Sequence, residues 1–200
     1  MGSYMTSCEE GPGVKRGVLL TLEEQVLALR IARRTLEGYF EEGGLPEFEE
    51  LGLEGYDVFL QKRAVFVTLH SGGLLRGCIG HIEPVEPLWK SIRSNTVSAA
   101  VHDSRFTPLT IGELEGLELE VSVLTPPVPL DDPLEFEVGR DGIIIELAHF
   151  RAVFLPQVAK EHGWDRQTTL EQLSRKAGLD FEGWKRPDAK FEVFQAQVLK

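Results

Sequence analysis

Apolar positions recur along this chain in two rhythms, one helical and one alternating. Leu22, Val26, Leu29, Leu36, Tyr39 and Phe40 repeat at helical spacing behind Thr21 and Glu24, a Thr-x-x-Glu pattern that caps a helix start. Gly43-Gly44 predicts the stop. Leu45 to Asp57 is acidic and broken by Pro and Gly, and reads as loop. Ala64–His70 is rich in β-branched and aromatic residues and predicts a strand. Ser71-Gly72-Gly73 then turns the chain, and Leu74–Gly80 returns as the second arm of a hairpin. Pro84 and Pro87 precede a helix over Leu88–Val101. Pro87 suits its first turn, where a missing N–H leaves nothing unpaired.

Further on, Leu117, Leu119, Val121 and Val123 alternate with Glu118, Glu120 and Ser122, the pattern of a half-buried strand with one wet face. Thr125–Pro133 reads as a proline-rich connector. Gly142–Leu147 and Arg151–Leu155 form another strand pair, followed by a short helix over Pro156–His162. Thr168 and Glu171 suggest a second capping box, with Gly178 as its helix stop. Phe191, Val193, Ala196 and Val198 close the chain as a strand bulged between Val193 and Ala196.

Hairpins and helices interleave without a βαβ rhythm. The expected fold class is therefore α+β, an antiparallel sheet flanked by helices. Residues 1–13 mix Gly, Ser, Glu and Pro and read as a flexible tail. Residues 14–200 read as a single domain, and a hydrophobic content of 42% is enough to build its core without disulfides. Cys8 and Cys78 form no framework, which suits a reducing compartment. No apolar run reaches membrane-spanning length and no signal peptide is visible, so the expected location is the cytoplasm.

Charge narrows the function classes. The formal net charge is −11. Glu41 to Glu54 holds six glutamates and no Lys or Arg, and Thr107 to Gly139 holds eight acidic residues and no basic one. Such a field repels a phosphodiester backbone, which disfavours nucleic acid as a partner. The ordinary reading of these runs is a solvated surface.

One segment is chemically odd. Leu74-Leu75-Arg76-Gly77-Cys78-Ile79-Gly80 carries two glycines inside a strand, which marks a bulge or a close approach by another element or a ligand. Arg76 and Cys78 fall on one face, Leu75 and Gly77 on the other. A guanidinium beside a thiol favours thiolate. The functional reading makes Cys78 a nucleophile; the competing one makes it a small buried hydrophobe. A nucleophile needs a base, and His70 and His81 are nearest in sequence. His81 should point away in a regular strand, and His70 faces Cys78 only in the right register.

Other constellations are weaker. No histidine or cysteine spacing suits a metal, and no cofactor motif is present. His102-Asp103 reads as a polar helix end. Gly77-Cys78-Ile79-Gly80 matches the Gly-x-x-Gly loop of a nucleic-acid clamp only superficially, since it lies in an apolar hairpin. Lys90 and Arg93 share a helix face and, with Arg76, could line one cleft; the more ordinary reading pairs them with surface glutamates. Arg105 is a further free-standing basic group.

Leu75-Arg76-Gly77-Cys78-Ile79-Gly80 resembles the signature of the AMMECR-type domain, also called AmmeMemoRadiSam system protein A. Phe66-Val67-Thr68-Leu69 precedes it as in that family. Asp103-Ser104-Arg105-Phe106-Thr107-Pro108-Leu109 is similar to its Asp-Pro-Arg-Phe-x-Pro-Leu segment. Glu120–Leu124, Leu155-Pro156-Gln157-Val158-Ala159, Gly163-Trp164-Asp165 and Lys176-Ala177-Gly178-Leu179 follow in place. The likeness covers Leu20 to Val198.

The resemblance implies a larger lobe around an antiparallel sheet, a smaller lobe beside it, and a cleft near the signature strand. It implies no settled activity. It also implies a Memo-like protein and a radical-SAM protein as partners, since prokaryotic members are commonly encoded with both. Three positions depart from the family pattern: Ser104 for proline, Asp141 for a histidine, and Ser174 where many members carry cysteine.

The leading expectation is an accessory protein binding a small anionic ligand or a partner at Arg76, Gly77, Cys78, Gly80, His81 and Arg105. In it, Arg76 holds the anion and Arg105 supports it. The alternatives are an enzyme using Cys78 as thiolate and a nucleic-acid-binding regulator.

Overall fold

The computed structural model describes residues 20–200. The expected tail over residues 1–13 and Cys8 lie outside them. Strands β1 (Val65–Ser71) and β2 (Leu74–His81) form the predicted hairpin, and β3 (Leu117–Leu124) and β8 (Ala196–Leu199) complete a sheet of order β2-β1-β3-β8. A second sheet has order β4-β7-β5-β6, from β4 (Val128–Leu130), β5 (Gly142–Leu147), β6 (Phe150–Phe154) and β7 (Lys190–Phe194). Every strand pairing is antiparallel, so the expected α+β class holds, with two sheets in place of one.

Helices α1 (Leu22–Glu37) and α2 (Leu88–Val101) cover one face of the first sheet. Leu27, Ile31, Trp89 and Ile92 pack there with Val65, Val67, Leu69, Val121 and Val123, all buried. Thr21 caps α1 in the predicted capping box, and Gly43, at φ 71°, ends the helix after a π-helical turn, Gly38–Glu42. Helices α3 (Pro156–Glu161) and α4 (Arg166–Lys176) accompany the second sheet. Leu170 and Leu173 of α4 join Ile143, Ile145, Phe191 and Val193 in its core. A third cluster joins the sheets: Ala64, Leu124, Ile144 and Phe194 are buried against Phe66, Ile82, Val153 and Leu155.

Four local expectations are corrected. The bulge between Val193 and Ala196 is a change of sheet. At Gln195 the chain leaves β7 and enters β8, and Gln195 and Thr125 fasten the crossing with two 2.8 Å hydrogen bonds. The connector after Thr125 contains β4. Strand β3 is wet only at its start, because the junction cluster covers its second half and buries Ser122. Finally, α4 starts earlier than the Thr168–Glu171 pattern suggested. Asp165 is its cap, accepting the Thr168 amide at 2.7 Å.

Candidate functional site

The two glycines of the signature strand make room for the protein's own elements. A Cβ at Gly77 would lie 2.1 Å from the Ala99 carbonyl oxygen of α2, and one at Gly80 would lie 2.4 Å from the Phe66 ring and the Val65 carbonyl. Of the two causes the sequence left open, helix and cross-strand packing is the one realised.

Strand β2 is an edge strand, and an edge exposes unpaired main chain. Here side chains close it. The Cys78 amide donates to Asp103 Oδ2 at 2.9 Å, and Arg105 Nη2 donates to the Cys78 carbonyl at 3.1 Å. Arg105 also grips Asp103 through Nε (2.9 Å) and Nη2 (2.7 Å). Asp103 is buried beside the end of α2, whereas Arg105 is more than half exposed. The Arg105 bonds hold the Asp103 carboxyl far below its ordinary pKa, against burial, and the Cys78 amide adds to the effect.

Arg76 is anchored next door. Its Nε and Nη2 bind Glu113 at 2.8 and 3.3 Å, and its Nη1 donates to the Thr107 carbonyl at 2.9 Å. Arg76, then the Thr110 amide, lower the Glu113 pKa to about 2. Arg76 therefore pins the segment between α2 and β3 to the hairpin, with all three guanidinium nitrogens engaged.

Cys78 is half-buried opposite Thr68, whose hydroxyl donates to its Sγ at 3.3 Å. His81 turns to the helix side, within 3.1 Å of Ser91 Oγ and 3.2 Å of Asn95 Nδ2. That is the direction its offset from Cys78 predicted. His70 lies opposite Leu75, across a bulge that follows Leu69. Among the described residues no hydrogen bond joins either histidine to Cys78. The structure thus brings Arg76, Cys78 and Arg105 to one edge and places His81 on the other face. Lys90 and Arg93 lie over the Trp89 ring, and Arg93 also pairs with Glu47 at 2.7 Å.

Sequence reasoning assigned no role to Lys176. Its ammonium donates to the Val153 carbonyl at 2.9 Å and lies 4.9 Å from the Phe154 ring centre. Although the residue is exposed as a whole, crowding around the ammonium and then the charge of Arg105 lower its pKa. No carboxylate pairs with it among the described residues. Asp103 was also underrated, as a polar helix end. The available signal was the Asp-x-Arg spacing directly after α2. Among the described residues no group of three His, Cys, Asp or Glu side chains is placed to hold a metal, and no helix is long and apolar enough to cross a membrane.

Two of the three departing residues, Asp141 and Ser174, have structural partners. Asp141 is buried against Arg140 (2.8 and 2.7 Å) and accepts the Glu137 amide. Ser174 is buried and donates to the Leu170 carbonyl.

These features define a class: two-sheet α+β proteins with a glycine-bearing edge hairpin closed by an Asp–Arg pair. The chain belongs to the AMMECR1 family, whose model matches residues 29–199. It is 40% identical over 191 residues to Protein MJ0810 of Methanocaldococcus jannaschii, covering 91% of this chain and 92% of that one. It is 41% identical over 193 residues to Protein MK0488 of Methanopyrus kandleri, covering 92% and 91%. It is also similar to the crystal structure of uncharacterized protein PH0010 from Pyrococcus horikoshii, with a TM-score of 0.79, 35% identity and coverage of 90% and 92%.

Proposed function

We propose that this chain is an accessory protein that binds rather than transforms, and that it receives an anionic group of a small ligand or partner at Arg105, beside Cys78, and at Lys176, whose ammonium feels the charge of Arg105. The observation that carries this reading is Lys176. Among the described residues its ammonium meets a carbonyl and a ring but no carboxylate, and the charge of Arg105 reaches it, so a negative group is the partner it would take. The rest of the signature supports the contact instead of making it: Arg76 fixes the segment that carries Arg105, and Gly77 and Gly80 seat the strand. In this reading the anion-holding role expected of Arg76 passes to Arg105 and Lys176.

Family association suggests a Memo-like protein and a radical-SAM protein as the partners. The thiolate-enzyme alternative draws support from Arg105 beside Cys78, but Cys78 is hydrogen-bonded to Thr68 where that chemistry needs a base. Nucleic acid remains disfavoured by the net charge of −11.

Calorimetric titration of the full chain with inorganic phosphate, and with the Memo-like protein of the same cell, tests the proposal. Lys176→Met should weaken whichever interaction is observed at least tenfold while leaving thermal unfolding unchanged. Undiminished binding by a folded Lys176→Met protein would refute it.

A further inference from the structure

The first sheet treats its two margins differently. The β2 margin is closed at Cys78 by Asp103 and Arg105. The far margin of β3 is closed along half its length, because β8 pairs only with Val121–Leu124. Leu117–Glu120 pairs with β1 on one side and, among the described residues, with no strand on the other. Main-chain direction alternates along a strand. The Leu124 amide bonds to Ala64 on the β1 side, so Leu119 and Leu117 turn outward. Arg33 Nη2 already takes the Leu117 carbonyl at 2.7 Å. Leu119 thus turns an amide and a carbonyl outward, and among the described residues no strand takes them.

That space is a groove of about 630 Å³ between α1 and the margin, lined by Leu29, Arg30, Arg33, Leu117, Leu119 and Glu118 among others. Its floor is apolar. Its α1 wall carries an Arg34–Glu37 pair and two further cations, Arg30 and Arg33, which among the described residues bond to the main-chain carbonyls of Leu51, Leu114 and Leu117. Neither pairs with a carboxylate among the described residues. Opposite, Glu118 is exposed, while Glu120 is paired with Lys200 at 3.0 Å.

We infer that this groove is a docking site for an extended segment of a partner protein, which adds a strand to β3 along the line of β8. The charges select its chemistry. The side turned toward α1 is apolar, to meet Leu29 and Leu119, and carries carboxylates at its ends for Arg30 and Arg33. The opposite side is basic, to meet Glu118. Main-chain bonds to Leu119 supply the affinity and the alternating side chains supply the selectivity. A second copy of this chain is a poorer occupant, because a net charge of −11 repels itself. The site is separate from the Lys176 contact, so either proposal can fail alone.

The test uses the full chain and a fluorescent, amide-capped heptapeptide, Glu-Lys-Val-Lys-Leu-Lys-Glu, followed by anisotropy. Saturable binding is expected. It should weaken at least tenfold when the valine nitrogen is methylated, a change that leaves the protein untouched, and severalfold when both glutamates become glutamines. Leu29→Glu should abolish it, while Lys176→Met should not alter it. No saturation at millimolar peptide, or equal binding of the methylated peptide, would overturn the inference. So would self-association of the chain that the peptide disperses, which would assign the margin to a second copy.

Discussion

Asp103 Oδ2 accepts the amide of Cys78 at 2.9 Å, so a carboxylate stands where a neighbouring strand would supply a carbonyl. Arg105 completes the substitution by donating to the Cys78 carbonyl. The signature strand is thereby a sheet margin that is closed at Cys78. Removing one partner of a buried charged pair is costlier than the pair's own net contribution. Asp103→Ala should therefore destabilise the fold by about 2–4 kcal/mol in urea melts, the lower end allowing for the exposure of Arg105. A change below about 0.5 kcal/mol would show that the edge closes without the carboxylate.

Acid should act through the same carboxylates. The folded-state pKa values of Asp103 and Glu113 are both lowered, the latter to about 2. A depressed carboxylate contributes stability above its unfolded-state pKa and loses it as pH falls through the folded one. Stability should hold near neutrality and decline from about pH 5 toward pH 2. Glu113→Gln should remove its part of that decline, about 1–2 kcal/mol after solvent screening. Parallel acid limbs for the wild-type and Glu113→Gln proteins would contradict the assignment.

The glycines give a sharper steric prediction. Gly77→Ala drives a methyl group into the Ala99 carbonyl of α2, which is main chain and cannot step aside. It should cost about 3 kcal/mol or more, or abolish folding, as severe overpacking does. Gly112→Ala meets nothing within 4 Å and is the control, with an effect expected within about 0.5 kcal/mol. Matching melting temperatures for the two variants would defeat the packing explanation.

Cys78 tests the competing chemistry. Half-burial and the Thr68 hydrogen bond predict that iodoacetamide alkylates it at least tenfold more slowly in the native protein than after unfolding. A native rate above the unfolded one would instead reveal an activated thiolate.

Much of this architecture is legible in the amino-acid pattern, because strong periodicity needs no tertiary knowledge. Thr21 with Glu24 started α1, Gly43 ended it, and the β1–β2 turn lay at Ser71-Gly72-Gly73. What could not be read depends on partners distant in sequence. The step at Gln195 reads as a bulge because a change of sheet leaves the same one-residue slip in alternation; only Thr125, far earlier in the chain, distinguishes them. Strand β3 looked half-wet because a second covering sheet is invisible to local pattern. The site divides in the same way. Arg76 and Cys78 stand out on the signature strand and Arg105 on a separate motif, but the engagement of Arg76 by Glu113 is hidden 37 positions away. Lys176 had no local signal except its place in a family motif.

Lys176 carries a charge that no carboxylate among the described residues meets and that Arg105 opposes, and its titration by NMR in the full chain, with and without inorganic phosphate, reads that charge directly. Its pKa should lie below that of an ordinary lysine and rise toward it as phosphate binds. An ordinary value that phosphate leaves unmoved would show that no anion is wanted there.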